Sequence, residues 1–125
     1  MSLRILIIDD DVPNRFALAE YLRATGLVVD EAGDGQEGLR IFREGHTDLV
    51  ITAACMPVVD GMQTLRELRS QDPKLPVIMI SGRRLSREEV LRETGTEPIC
   101  IFQKPVTPAE LLAVLLQTCE AREPA

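Results

Sequence analysis

Residues 5–11 read Ile5-Leu6-Ile7-Ile8-Asp9-Asp10-Asp11, an unbroken apolar run that ends in three aspartates. A run without polar alternation is typical of a strand covered on both faces, as in a parallel sheet. Similar runs occupy residues 49–51, 77–80 and 99–102, and a weaker run at 28–29 fits an edge strand. We therefore predict five strands, each followed by a helix.

Helix start and stop signals lie between these runs. The first helix is predicted from about Pro13 to Thr25, with Phe16, Ala19 and Leu22 buried and Gly26 as its stop. Another is predicted from about residue 61 to 70. Three further helices begin at capping pairs spaced three residues apart, namely Asp34 with Glu37, Ser86 with Glu89, and Thr107 with Glu110.

Strands that alternate with helices in one short chain predict an α/β fold with a parallel sheet and right-handed crossovers. The 125 residues suffice for one domain. We place that domain at residues 1–120. Residues 121–125 are interpreted as a frayed tail or a truncated linker, and whether a longer protein continues from them stays open.

Composition restricts the function classes. With 45% hydrophobic residues the chain has enough apolar side chains for a core, and its formal net charge of −6 argues against direct nucleic-acid binding. No apolar run approaches the ~18 residues of a membrane span. The three cysteines include no CxxC pair, which indicates reduced thiols and a cytoplasmic location.

Polar or charged residues stand at the carboxyl ends of three of the predicted strands. Asp9 and Asp10 follow the first, Ser81 ends the fourth, and Lys104 follows the fifth, whereas Ala53 stands at the end of the third. Ligand sites of open parallel sheets lie at the carboxyl ends of the strands. We therefore expect these positions to converge on one pocket.

Residues 48–61, DLVITAACMPVVDG, resemble the phosphorylation segment of the receiver domains of two-component response regulators. Together with the strand-end residues, the resemblance covers nearly the whole chain. It implies a single (βα)5 flavodoxin-like domain of three layers, with the strand order 2-1-3-4-5. It also implies a phosphorelay signalling module and not an enzyme.

The resemblance implies a role for each strand end. In the family the residue at position 53 is the aspartate that accepts phosphate, and here it is Ala53. Asp9 and Asp10 match the acidic pair that helps to hold Mg²⁺. The family's metal shell would comprise Asp10, the residue at 53 and the backbone carbonyl of Cys55. Because alanine lacks both nucleophile and ligand, we predict weak or absent Mg²⁺ binding and no aspartyl phosphate.

Three more positions match the family's phosphate-binding and switch residues. Ser81 corresponds to the hydroxyl that hydrogen-bonds the phosphoryl group, and Lys104 to the lysine that pairs with one of its oxygens. The bond from Lys104 to Pro105 is usually cis in the family. The switch position, usually aromatic, is Ile101. Whether Ala53 is natural or engineered stays open.

The implied partners are a sensor histidine kinase or a phosphotransfer protein. An output domain or a second copy would dock on the surface of the fourth helix, fifth strand and fifth helix, roughly Ser86 to Cys119. The cognate kinase, the output and the oligomeric state are left undetermined by the sequence.

The same residues allow two alternative interpretations. The three aspartates could serve only to cap the first helix. The chain could also be a haloacid-dehalogenase-like phosphatase in which Asp9 and Asp11 are nucleophile and acid/base. Against this, no acidic pair follows a later strand, and the chain is too short for the usual cap.

Overall fold

The computed structural model describes residues 3–56 and 59–122, with side-chain environments as far as Cys119. Strands and helices alternate five times along the chain. Their bounds are β1 (Arg4–Ile8), α1 (Val12–Ala24), β2 (Val28–Ala32), α2 (Gly35–Arg43), β3 (Leu49–Ala53), α3 (Gly61–Gln71), β4 (Val77–Ser81), α4 (Arg87–Thr94), β5 (Cys100–Gln103) and α5 (Pro108–Arg122).

The five strands form one sheet in the order β2-β1-β3-β4-β5, and every neighbouring pair is parallel. This confirms the predicted α/β fold and strand order, with β2 at an edge. Of the predicted tail, residues 121 and 122 belong to α5, and residues 123–125 lie outside the described part of the chain.

Two apolar clusters lie on opposite faces of the sheet, which makes the domain three-layered. Ile5 and Ile7 pack with residues of α1 and α5, whereas Leu6 and Ile8 pack with residues of α2, α3 and α4. All four are at most 1% exposed. Because both faces of the central strands are buried, these strands show no polar alternation in the sequence.

The helix caps follow the sequence signals closely. Asp34, Ser86 and Thr107 accept backbone N–H bonds from Glu37, Glu89 and Glu110, three residues further on. Asp11 and Asp60 cap α1 and α3 in the same way. Each cap satisfies one of the N–H groups that lack a partner at a helix start.

The predicted burial of Phe16 is wrong. Its side chain is 55% exposed, and α1 packs on the sheet through Leu18, Ala19 and Leu22. At 100° per residue, Phe16 lies about 120° from the middle of that buried stripe. Among the described residues no helix is both long and apolar enough to cross a bilayer.

Candidate functional site

The parallel register brings the carboxyl ends of the strands to one edge of the sheet. Thr52 in β3 pairs with Ile8 in β1, which places Asp9 and Ala53 side by side at the next step. Ala53 in turn pairs with Ile80 of β4. The predicted convergence of the first, third and fourth strand ends therefore follows from the register.

Backbone hydrogen bonds continue the sheet just beyond the strands. The Asp9 N–H donates to the Ala32 carbonyl at 3.0 Å, and the Ala54 N–H donates to the Ile80 carbonyl at 2.8 Å. The Lys104 N–H donates to the Ser81 carbonyl at 2.8 Å. The site residues are thus attached to the rigid sheet and not to free loops.

Asp9 is the buried carboxylate of the site, with 7% of the residue exposed. Its Oδ1 accepts the Asp11 N–H at 3.0 Å, and its Oδ2 lies 4.0 Å from Lys104 Nζ. Burial raises the pKa of Asp9, and the charges of Asp10 and Asp11 add to that rise. The Asp11 N–H and the Lys104 ammonium act in the opposite direction.

The other two aspartates have different environments. Asp10 is exposed. Asp11 caps α1, with Oδ1 accepting the Asn14 N–H at 3.3 Å and Oδ2 accepting from Asn14 Nδ2 at 2.6 Å. Helix capping therefore accounts for Asp11, and it does not account for Asp9, whose carboxylate faces Lys104.

Ala53 ends β3 with 5% of its surface exposed. Strand alternation puts its methyl on the same face as Leu49 and Ile51, the face covered by α1 and α5. The start of α3 crowds its backbone, because a Cβ on Gly61 would lie 2.1 Å from the Ala53 carbonyl oxygen. Glycine at 61 therefore permits the close return of the chain after β3.

Ser81 is 2% exposed, and its hydroxyl is already engaged. Its Oγ donates to the Arg83 carbonyl at 2.7 Å and accepts the Arg83 N–H at 3.1 Å. Lys104 is half-buried, and its peptide bond to Pro105 is cis, as the resemblance implies. Ser81 and Lys104 meet through the backbone bond between neighbouring strands.

The remaining predicted positions are peripheral to these groups. Cys55 follows β3 as an exposed free thiol. Ile101 lies in β5 beside Met79 and is partly buried against the cluster formed with α2, α3 and α4. Its side chain therefore packs on the face of the sheet opposite to that of α1.

A groove between α1 and the segment joining β5 to α5 was not predicted. Its volume is about 510 Å³. Asp9 and Lys104 contribute to its lining, and the other residues along it are Asn14, Ala17, Leu18, Ile80, Pro105, Val106 and Pro108. These residues come from four separate segments, so no local pattern in the sequence signals the groove.

The donor set does not suit a metal ion well. Within residues 3–56 and 59–122, no three or more His, Cys, Asp or Glu side chains are grouped so that they could hold one. Asp11 caps α1 through its carboxylate, and the side chain at position 53 carries no oxygen. Mg²⁺ requires a near-octahedral shell of oxygens, which leaves most ligands here to water.

Comparisons with known proteins agree with this geometry. The family profile described as response regulator receiver domain matches residues 5–116. The sensor protein EvgS of Escherichia coli O157:H7 is 40% identical over 109 residues, which cover 85% of this chain and 9% of that protein. The response regulator MprA of Mycobacterium ulcerans is 34% identical over 114 residues, covering 90% of this chain and 48% of that protein.

A solved structure is similar along its full length. It is the CheY-like response regulator receiver domain protein from Methanospirillum hungatei, at 25% identity and a TM-score of 0.88. The alignment covers 97% of this chain and 96% of that one. In contrast, the chain spans less than half the length of the two curated relatives above.

Proposed function

The chain belongs to the response regulator receiver domain family, and on that premise we propose that it is a two-component receiver domain that cannot be phosphorylated at position 53. Receiver domains are signalling modules of phosphorelays, and they bind Mg²⁺ in the family. This chain would signal through protein contacts, without the covalent modification.

One observation carries the proposal: a methyl group stands where the site requires a nucleophilic carboxylate. Ala53 lies in register between Asp9 and Ile80, at the sheet edge where Ser81 ends β4 and Lys104 follows β5. Phosphoryl transfer to a protein needs an attacking oxygen and cations that offset the developing charge. The side chain of Ala53 supplies no oxygen.

The roles of the surrounding residues form part of the proposal. Asp9 and Asp10 would be the remaining acidic pair, with the Cys55 carbonyl as a third ligand, and Mg²⁺ binding would be weak or absent. Lys104 and Ser81 would have held the phosphoryl group. Ser81 would have to redirect the hydroxyl hydrogen that it donates to the Arg83 carbonyl in order to do so.

The switch and the partner surface are also proposals. Ile101 occupies the switch position without an aromatic ring, so a rotamer change of the usual kind has no side chain to carry it. An output domain or a second copy would dock on α4, β5 and α5, where Leu91 and Leu116 are 43% and 41% exposed. Sensor kinases are the partners of the family.

Domain bounds follow the same reasoning. We propose that residues 1–120 form the receiver domain and that residues 121–125 are its tail or the start of a linker, into which α5 continues as far as Arg122. The relatives that are much longer than this chain are consistent with a receiver joined to other domains. The phosphatase alternative has no support, because Asp11, its acid/base, accepts hydrogen bonds from Asn14 with both carboxylate oxygens.

The test compares the chain with its Ala53→Asp and Ala53→Asn variants after incubation with acetyl phosphate and Mg²⁺. Intact-mass spectrometry should find one added phosphoryl group on Ala53→Asp alone. Ala53→Asn is the matched control, since it restores size and polarity without a nucleophilic carboxylate. A phosphoryl adduct at the pocket of the unchanged chain would contradict the proposal, as would a folded Ala53→Asp variant that takes none.

A further inference from the structure

We propose that the groove between α1 and the segment joining β5 to α5 is a binding site for small amphipathic carboxylates. Lys104 would hold the ligand's carboxylate, and the apolar lining would hold the rest of the ligand. The proposal rests on the proposed function in one respect, because it requires that position 53 supply no carboxylate to Lys104. It names a class of ligand that would regulate a receiver lacking phosphate.

The groove has the size and composition of a small-molecule site. Its volume of about 510 Å³ lies in the usual range of ~300–1,000 Å³ for ligand pockets. Ala17 and Leu18 of α1 line it, together with Pro105, Val106 and Pro108 from the segment that leads from β5 into α5. Such sites combine a mainly apolar lining with a few polar groups that orient the ligand.

Lys104 has a charge that the protein only partly compensates. The nearest carboxylate oxygen is Asp9 Oδ2 at 4.0 Å, which is too far for a hydrogen bond. In the described part of the chain, Nζ donates no hydrogen bond, and the side chain is 35% exposed. A ligand carboxylate could therefore approach Nζ from the groove and form a charge-assisted hydrogen bond.

Asp9 opposes such a ligand less than its formal charge suggests. Its Oδ1 already accepts the Asp11 N–H, which offsets part of its charge, and its Oδ2 lies 4.0 Å from Lys104 Nζ, too far to hydrogen-bond that ammonium. A cationic ligand would be repelled by Lys104, and a neutral ligand would offer Nζ no charge-assisted hydrogen bond.

The first experiment titrates the unchanged chain with hexanoate and follows backbone amide shifts by NMR. We expect saturable shifts at Ala17, Val106 and Lys104, with a Kd of about 1 mM or tighter. Hexanamide has the same shape without the charge, and it should bind at least about tenfold more weakly because it lacks the charge-assisted bond.

Variants separate the two parts of the site. Lys104→Met keeps the length of the side chain and should weaken hexanoate binding at least about tenfold. Ala17→Leu fills the groove from an exposed helix position that tolerates leucine, and it should weaken hexanoate and hexanamide alike. Lys74→Met removes an exposed lysine that does not line this groove, and it should leave the Kd unchanged.

Three results would overturn the proposal: no saturable shift at the groove, equal affinity for hexanoate and hexanamide, or unchanged binding in a folded Ala17→Leu variant. Ala53→Asp separates this proposal from the preceding one. It should weaken hexanoate binding by placing a carboxylate near Lys104. If Ala53→Asp gains no phosphate while Lys104→Met and Ala17→Leu still abolish binding, the proposed function fails and the groove remains a ligand site.

Discussion

Three consecutive aspartates of this chain have three different environments. Asp9 is buried beside Lys104, Asp10 is exposed, and Asp11 caps α1. Arg15 adds to the constraint on the first of them, since its Nη1 donates to the Asp9 carbonyl at 2.8 Å while its Nε pairs with Glu31 at 3.1 Å. Neighbours in space, and not residue type, thus set the chemistry of each carboxyl group.

The raised pKa of Asp9 predicts that its negative charge destabilises the folded state and that this loss of stability depends on pH. Between the ordinary value of 3.8 and the raised folded value, the folded state binds more protons than the unfolded state, so stability falls as pH rises. At pH 7 Asp9→Asn should therefore raise the melting temperature, and Asn Oδ1 can still accept the Asp11 N–H. Below pH 3.8 the advantage should vanish.

Melting curves from pH 3 to pH 8 would check this, with exposed Asp10→Asn as the control that shows a much smaller change. A lower melting temperature of Asp9→Asn at pH 7 would mean that the contact with Lys104 outweighs the cost of burying the charge.

At the scale of one element, α1 was predicted correctly in extent, and its buried face was predicted correctly at Ala19 and Leu22 but wrongly at Phe16. Its buried stripe is Leu18, Ala19 and Leu22, whereas Phe16 and Val12 are 55% and 56% exposed. Apolar residues thus occur on both the packed and the exposed sides of this helix. The apolar pattern of such a helix does not select a single orientation toward the sheet.

Two substitutions in α1 should therefore differ in their effect on the free energy of unfolding. Leu22→Ala should lower the free energy of unfolding by about 2–5 kcal/mol, because it leaves a cavity in a core position that is 0% exposed. Phe16→Ala should change it by no more than about 0.5 kcal/mol. Urea unfolding followed by circular dichroism measures both. Equal losses for the two variants would place Phe16 in the core after all.

For the molecule as a whole, the absence of a carboxylate at position 53 should make the stability of the domain independent of a divalent cation. Clustered carboxylates repel one another, and here position 53 adds none to Asp9 and Asp10. We expect EDTA to leave the melting temperature unchanged. The Ala53→Asp variant should instead be stabilised by Mg²⁺, and its melting temperature should rise. At a Mg²⁺ concentration of 100 Kd the free energy of unfolding should increase by about 2.7 kcal/mol.

Differential scanning calorimetry of the chain, Ala53→Asp and Ala53→Asn, each with EDTA and with Mg²⁺, would measure this. Ala53→Asn lacks the added charge and should show a much smaller response to the metal. A marked fall in the melting temperature of the unchanged chain in EDTA would indicate a metal site that does not need a carboxylate at 53.

The sequence by itself determined the elements and their order. Unalternated runs such as residues 5–8 marked strands buried on both faces, and caps such as Asp34 and Ser86 marked helix starts, because these signals act over a few residues. The positions at the strand ends were also predictable, since parallel strands place their carboxyl ends at one edge.

Only the tertiary structure decided the exposure of Phe16, the 4.0 Å separation of Asp9 and Lys104, and the groove between α1 and α5. Burial, a raised pKa and a cavity each depend on atoms from several distant segments. Their energies are sums over neighbours that the chain acquires only when its layers pack together.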